Sequence, residues 1–104
     1  MEPIRLAIVG LDRFADLLFG CLEKSDRLKL CAVCETRPAL LNRYRDKFPD
    51  IQFYDDPRAM VLRARPNALL LWRECCENEF LDSVMSQGCW PILRPPISGA
   101  WPRR

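Results

Sequence analysis

The residues whose types and spacing could do chemistry follow a short apolar run near the start of the chain. Gly10, Asp12 and Ala15 fall on the frame G-x-G-x-x-G/A, in which a tight turn joins a strand to a helix. The first glycine of this frame makes the bend, the second lets the backbone approach a pyrophosphate, and the third allows close helix packing. The first and third positions conform, so the frame predicts a dinucleotide-binding turn with one altered position.

Asp12 occupies the altered position and brings a negative charge to the place where two phosphates would lie. A carboxylate there opposes the ligand both sterically and electrostatically. Alternatively, Asp12 caps the first turn of the helix and replaces the phosphate as the anion that satisfies its N–H groups. The neighbouring Arg13 is expected to offset the charge and keep weak phosphate binding possible. Both interpretations stay open at this stage.

Glu35 stands where such folds carry an acidic residue, at the end of the second predicted strand and about 20 residues beyond the turn. That residue hydrogen-bonds the adenosine ribose, and its charge favours NAD over NADP because it repels a 2′-phosphate. The nearby Arg37 makes this preference for NAD over NADP less distinct. Alternatively, Glu35 caps or flanks the helix that starts near Pro38.

The predicted cofactor is therefore NAD, bound weakly or not at all, with NADP less favoured. The predicted cofactor-binding residues are Gly10, Leu11, Asp12, Arg13, Phe14, Glu35, Thr36, Arg37, Trp72 and Arg73. We predict no catalytic residue and no metal ligand among them.

Composition narrows the possible functions. The chain has 104 residues, 49% hydrophobic and 29% charged, as expected for one folded domain. Its net charge of +2 is too small to indicate a nucleic-acid partner, and it has no histidine, the commonest general base. No apolar run could span a membrane and no secretory signal is recognisable, so we expect a cytoplasmic location.

The segments that must position these residues alternate between strand-like and helix-like patterns. Apolar runs predict strands at Ile4 to Val9, Leu28 to Cys34, Ile51 to Tyr54, Ala68 to Trp72 and Trp90 to Leu93. Strict alternation with short connections predicts a parallel sheet with helices on both faces. We therefore expect an α/β, three-layer Rossmann fold whose five-stranded parallel sheet has the order 3-2-1-4-5. This domain spans residues 1–96, and a proline-rich tail follows at 97–104.

Apolar residues at helical spacing predict the inward faces of four helices. These faces are Phe14, Leu17, Leu18, Cys21 and Leu22; Leu40, Leu41, Tyr44 and Phe48; Met60, Val61 and Ala64; and Phe80, Leu81, Val84 and Met85. Thr36 is the expected N-cap of the second helix, Asp56 and Pro57 start the third, and Gly88 ends the fourth.

The six cysteines are expected to be thiols. Cys31 and Cys34 form a C-x-x-C pattern, but residues i and i+3 of a strand face opposite sides, so we expect two buried strand cysteines. Cys75 and Cys76 follow the fourth strand, where a helix start would lower the pKa of a thiol, and a reactive thiol there is a hypothesis.

With Gly10 and the segments "VCETRPALLNRYRDKFPDIQFYDDPRAMV" and "RPNALLLW", the chain resembles the N-terminal dinucleotide-binding domain of the glucose-fructose oxidoreductase, inositol dehydrogenase and MocA (Gfo/Idh/MocA) family. The resemblance runs from about Ile4 to Pro96. It implies a Rossmann fold that binds NAD or NADP and transfers a hydride to or from a sugar or polyol carbon.

Three signatures of that family are altered. Asp12 interrupts the glycine turn, the family's Thr-Pro falls on Arg73 and Glu74, and its Glu-Lys-Pro falls on Arg94, Pro95 and Pro96. The catalytic lysine is thus absent, and a guanidinium is a poor substitute in proton transfer. The family's substrate domain is also missing, so we expect no turnover by this chain alone. The alternative is a non-catalytic interaction or regulatory module that assembles, as a homodimer or with a partner domain, through exposed apolar surface.

Overall fold

The computed structural model describes residues 2–72 and 77–94, and of Trp72 only its position in a strand. Its strands are β1 (Ile4–Val9), β2 (Leu28–Cys34), β3 (Gln52–Tyr54), β4 (Ala68–Trp72) and β5 (Trp90–Arg94). Its helices are α1 (Ala15–Glu23), α2 (Pro38–Lys47), α3 (Pro57–Ala64) and α4 (Asn78–Ser86). All strand pairs are parallel and the order is β3-β2-β1-β4-β5. The predicted fold class and strand order are confirmed.

The sheet is covered on both faces, which explains why its central strands read as almost continuous apolar runs. Alternate residues of β1 and β4 belong to opposite cores. On one face, Ile8 packs among the buried side chains of α1 and α2, and on the other face Ala7, Leu69 and Leu71 pack among those of α3 and α4. The polar turns at the carboxyl edge of the sheet therefore rest on a rigid, doubly packed layer.

A β-bulge in β2 corrects the expectation for the two strand cysteines. Leu6 pairs with Leu30 and Ala7 pairs with Ala32, so Cys31 is an extra residue in the ladder. The bulge places Cys31 and Cys34 in the same core, beside α3 and α4, and the expectation that they face opposite sides is wrong. Burial raises the pKa of Cys34 to about 12, so this thiol stays protonated at neutral pH.

The inward face of α1 also differs from the prediction. Ala15, Phe19 and Leu22 are its buried residues. The ring of Phe19 packs edge-on against Phe48 and Tyr44, with centroids 4.8 and 5.6 Å apart, and this aromatic cluster fixes the rotation of the helix. The side chains predicted to face inward but found exposed are Phe14 just before α1, Leu17 and Cys21 on α1, and Met85 on α4. The inward residues predicted for α3 are buried, and those predicted for α2 are buried or partly buried, so both predictions are confirmed.

Two of the three helix-end residues predicted from the sequence, Asp56 and Gly88, lie at the ends of their helices as expected. Asp56 caps α3 by accepting a hydrogen bond from the backbone N–H three residues on, and Gly88, with φ of +81°, follows the end of α4. Thr36 is not the N-cap of α2. Arg37 takes that position in an extended conformation because Pro38 is the first helical residue and disfavours a helical residue before it.

The two-sided burial of β4 predicts a large cost for truncating its centre. Leu69 is fully buried, so Leu69→Ala should lower the free energy of unfolding by about 2–5 kcal/mol. Urea unfolding would measure the loss. Leu62→Ala, a side chain that is 62% exposed on α3, is the matched control and should change stability by less than about 0.5 kcal/mol. Equal losses for the two variants would contradict the described core.

Candidate functional site

The turn after β1 and the residues after β2 meet at the carboxyl edge of the sheet. The connections from β1 to β3 pass over one face, and the next connection, α3, passes over the other, so the topology switches between β1 and β4. Ligands of open α/β sheets bind in the crevice at this point. Gly10, with φ of +93°, makes the bend, and its N–H donates to the carbonyl of Cys34 over 2.8 Å. The first glycine of the frame thus does what the sequence predicts.

Glu35 is the buried charged residue at the centre of this edge, with a side chain that is 3% exposed. Its Oε1 accepts hydrogen bonds from the Leu11 N–H (2.8 Å) and from Nη2 of Arg37 (3.0 Å). Its Oε2 accepts from the backbone N–H and from Nε of Arg37, both over 2.9 Å. Four donors therefore saturate the carboxylate, and all of them belong to the chain itself.

Arg37 joins the start of α2 to the turn after β1. Besides its bonds to Glu35, its Nη2 donates to the carbonyl of Leu11. The pKa of Glu35 lies below its ordinary value. Burial on its own would raise this pKa, but the hydrogen bonds from Arg37 and from the Leu11 N–H lower it by more. The Arg37 side chain is 62% exposed, so solvent meets the cation while the carboxylate lies beneath it.

Asp12 has two partners. Its Oδ1 accepts a hydrogen bond from the Phe14 N–H over 2.9 Å, and its Oδ2 lies 2.9 Å from Nη2 of Arg94 at the end of β5. The side chains of Asp12 and Arg94 are only 21% and 18% exposed. Asp12 is not the N-cap of α1: Phe14 takes that position without a side-chain cap bond, and the Asp12 carboxylate bonds the N–H of Phe14 just before the helix, which corrects the capping interpretation. The carboxylate also forms an ion pair that the sequence did not reveal.

The charge that offsets Asp12 comes from Arg94, which corrects the expectation for Arg13. Arg13 is exposed and its guanidinium carbon lies 5.2 Å from the centroid of the Phe14 ring. The pair of Asp12 and Arg94 joins residues 82 positions apart. Only the parallel alignment of β1, β4 and β5 brings them together, because β5 ends at the same sheet edge as β1.

The remaining predicted site residues are placed less fully. Leu11 is buried and contributes its backbone N–H and carbonyl, while Thr36 is exposed beside Glu35 and Arg37. Trp72 ends β4 and pairs with Arg94 in the ladder. Arg73, Cys75 and Cys76 lie outside the described residues. Within residues 2–72 and 77–94, no group of three acidic or cysteine side chains could hold a metal ion, and no helix is long and apolar enough to cross a membrane.

This arrangement changes what the turn offers to a ligand. The N–H groups of Leu11 and Phe14 belong to the segment that the frame predicts to face a pyrophosphate, and each already donates to a carboxylate of the chain. Each carboxylate is in turn paired with an arginine. The edge of the sheet therefore holds two internal ion pairs where the sequence predicts an anion-binding turn.

Comparison with known proteins agrees with the fold. No family model matches the chain. The D-glucoside 3-dehydrogenase of Escherichia coli is 31% identical in an alignment 102 residues long, which covers 91% of this chain and 28% of that enzyme. The WlbA dehydrogenase from Bordetella pertussis, solved with NADH and UDP-GlcNAcA, superposes with a TM-score of 0.74 at 20% identity, over 89% of this chain and 28% of that one.

A second solved structure, scyllo-inositol dehydrogenase from Lactobacillus casei with bound NAD(H) and scyllo-inositol, superposes with a TM-score of 0.70 at 21% identity, over 88% of this chain and 28% of that one. The chain thus spans 28% of the length of each of these proteins. The fold and the glycine turn define a Rossmann domain like those of the dehydrogenases compared above. Within that class it is a Gfo/Idh/MocA-like Rossmann domain, and the resemblance predicted from the sequence is confirmed.

The hydrogen bonds of Glu35 predict a specific pH dependence of stability. Because the pKa of Glu35 lies below its ordinary value of 4.5, its ionised form stabilises the folded chain above that pH, and this stabilisation is lost as the pH falls through the folded pKa. Glu35→Gln should lower the free energy of unfolding at pH 7 by about 1.5–3 kcal/mol and reduce its slope below pH 4.5.

Urea unfolding at several pH values would measure both effects. Glu23→Gln, which removes a carboxylate from the exposed surface of α1, is the matched control for the loss of one charge. A Glu35→Gln variant as stable as the parent chain at pH 7 would contradict the described bonds.

Proposed function

We propose that this domain is a nicotinamide-dinucleotide-binding Rossmann domain whose crevice is partly closed by its own side chains, so that its affinity for the cofactor is low. The ion pair of Asp12 and Arg94 is the observation that carries the proposal. The comparisons support the ligand class, because the solved WlbA and scyllo-inositol dehydrogenase structures contain NADH or NAD(H).

The cost of binding is electrostatic and steric. A phosphate oxygen within about 4 Å of a carboxylate meets a repulsion of roughly 4 kcal/mol at the effective dielectric of a protein surface. Arg94 reduces this repulsion while it stays bonded to Asp12, but the N–H donor that it uses for Asp12 is then not available to the phosphate. A pyrophosphate must therefore compete with Asp12 both for Arg94 and for the N–H of Phe14.

Hydride transfer is not part of the proposed function of this chain alone. The family resemblance places a lysine where this chain has Pro95, and the neighbouring Arg94 is engaged with Asp12. Arginine also holds its proton too tightly for proton transfer at neutral pH. We expect binding without turnover unless another chain or domain supplies the missing groups.

Replacing Asp12 with glycine tests the proposal. The parent chain should bind NAD and NADP with dissociation constants near or above about 1 mM, and Asp12→Gly should bind at least one of them about 10–100-fold more tightly because repulsion is removed. Isothermal titration calorimetry would measure both. Asp26→Gly removes an exposed carboxylate distant from the crevice and should leave affinity unchanged. Equal affinity of the parent and Asp12→Gly chains would contradict the proposal.

A second candidate function is self-assembly, and an apolar face of the sheet favours it. A groove of about 530 Å³ lies beside α1 and is lined by side chains of β1, β4 and β5. Among them, Trp90 and Ile92 are 72% and 43% exposed, and no helix of the described residues covers them. Burial of such a patch between two copies would remove apolar surface from water, as the expected homodimer requires.

Sedimentation equilibrium would test assembly through this groove. The parent chain should show a dimer mass at tens of micromolar, and Ile92→Lys should shift it to the monomer, because β5 is an edge strand where lysine opposes association. Leu17→Lys, on the exposed side of α1, is the matched control and should leave the mass unchanged. A monomeric parent chain throughout this range would refute the assembly.

A further inference from the structure

We infer that the adenosine end of this crevice selects a 2′-phosphate, so that the domain prefers NADP to NAD, and that Arg37 is the residue that sets the preference. The inference rests on the proposed function, because it concerns the same dinucleotide site. It reverses the expectation drawn from the sequence, in which the charge of Glu35 favours NAD.

Glu35 has no acceptor capacity left for a ribose. An acidic residue at the end of the second strand recognises NAD by accepting hydrogen bonds from the ribose hydroxyls. A carboxylate offers about four acceptor positions, and here the Leu11 N–H and three N–H groups of Arg37 fill them. A ribose diol could bond Glu35 only by displacing one of these donors, most of which belong to a cation. The feature that favours NAD is therefore already used within the chain.

Arg37, the exposed partner in the ion pair with Glu35, offers hydrogen-bond donors and a positive charge to a ligand. Its Nε and Nη2 are directed to Glu35 and to the Leu11 carbonyl, whereas Nη1 makes no hydrogen bond within residues 2–72 and 77–94. Two N–H donors thus remain on a guanidinium that is 62% exposed, above a carboxylate that is 3% exposed. A ligand that approaches the end of β2 therefore meets the cation first.

Guanidinium groups suit phosphates particularly well, because their donors match the spacing of phosphate oxygens and their charge is permanent. The hydrogen bonds to Glu35 also fix the Arg37 side chain before any ligand arrives, so little conformational entropy is lost on binding. Thr36 adds an exposed hydroxyl between the two residues. A 2′-phosphate gains charge-assisted hydrogen bonds here, whereas a 2′-hydroxyl gains none without breaking the pair of Glu35 and Arg37.

The test compares NAD and NADP on the 104-residue Asp12→Gly chain, in which the pyrophosphate turn is relieved. Calorimetry should give a dissociation constant for NAD at least about tenfold above that for NADP. Adding Arg37→Gln should remove the phosphate partner and free acceptor positions of Glu35, so the ratio should fall to one or below. Arg45→Gln, which removes an exposed cation from the last turn of the same helix, should leave the ratio unchanged.

The ratio of the two affinities is informative because general damage to the site would weaken both ligands together. Thermal unfolding would check each variant, and if Arg37→Gln does not fold, Arg37→Lys should retain a reduced preference for NADP, since it keeps the charge and loses the bidentate geometry.

The outcomes separate the two proposals. Equal or tighter binding of NAD to the Asp12→Gly chain would overturn the inference and leave the proposed function standing. Failure of that chain to bind either dinucleotide would overturn both. The parent chain gives an independent check, because adenosine 2′,5′-bisphosphate should shift the Arg37 side-chain signals in ¹⁵N NMR at millimolar concentration and AMP should not. Equal shifts with both probes would also overturn the inference.

Discussion

The buried carboxylate of Glu35 is the constraint on which the site depends. Once the alternation of strands and helices brings the end of β2 beside the turn after β1, a nearly buried negative charge must be compensated there. Arg37 and the Leu11 N–H supply that compensation, and in doing so they hold the glycine turn against the start of α2. The geometry of the crevice follows from this single requirement.

A second internal ion pair, between Asp12 and Arg94, compensates another carboxylate at the position next to Leu11. Asp12 satisfies an N–H at the start of α1 and draws Arg94 from the end of β5. In a dinucleotide-binding turn, the anion that occupies this place comes from the ligand. Here the chain carries its own anions and their counter-ions. The fold therefore keeps the architecture of a cofactor site while the polar groups of that site are largely satisfied without one.

The fold could be predicted from the sequence because apolar periodicity and helix signals such as Asp56–Pro57 act locally, and their strict alternation leaves few topologies. The buried side of α1 could not be predicted, because its apolar residues are compatible with two overlapping helix faces. The contacts of Phe19 with Tyr44 and Phe48 select one of them. For the site, Gly10, Asp12 and Glu35 were identifiable by spacing. Their partners were not, because the pair of Asp12 and Arg94 joins distant segments and the saturation of Glu35 depends on side-chain direction.

Amide hydrogen exchange at Leu11 tests the central claim most directly, because this N–H donates to Glu35 and to no backbone carbonyl in the described residues. We expect the Leu11 amide to be protected in the parent chain and to exchange at least about tenfold faster in Glu35→Gln. The Gly10 amide, bonded to the Cys34 carbonyl, should keep its protection in both chains. A Leu11 amide that exchanges at the rate of an unfolded chain in the parent protein would contradict the hydrogen bond to Glu35.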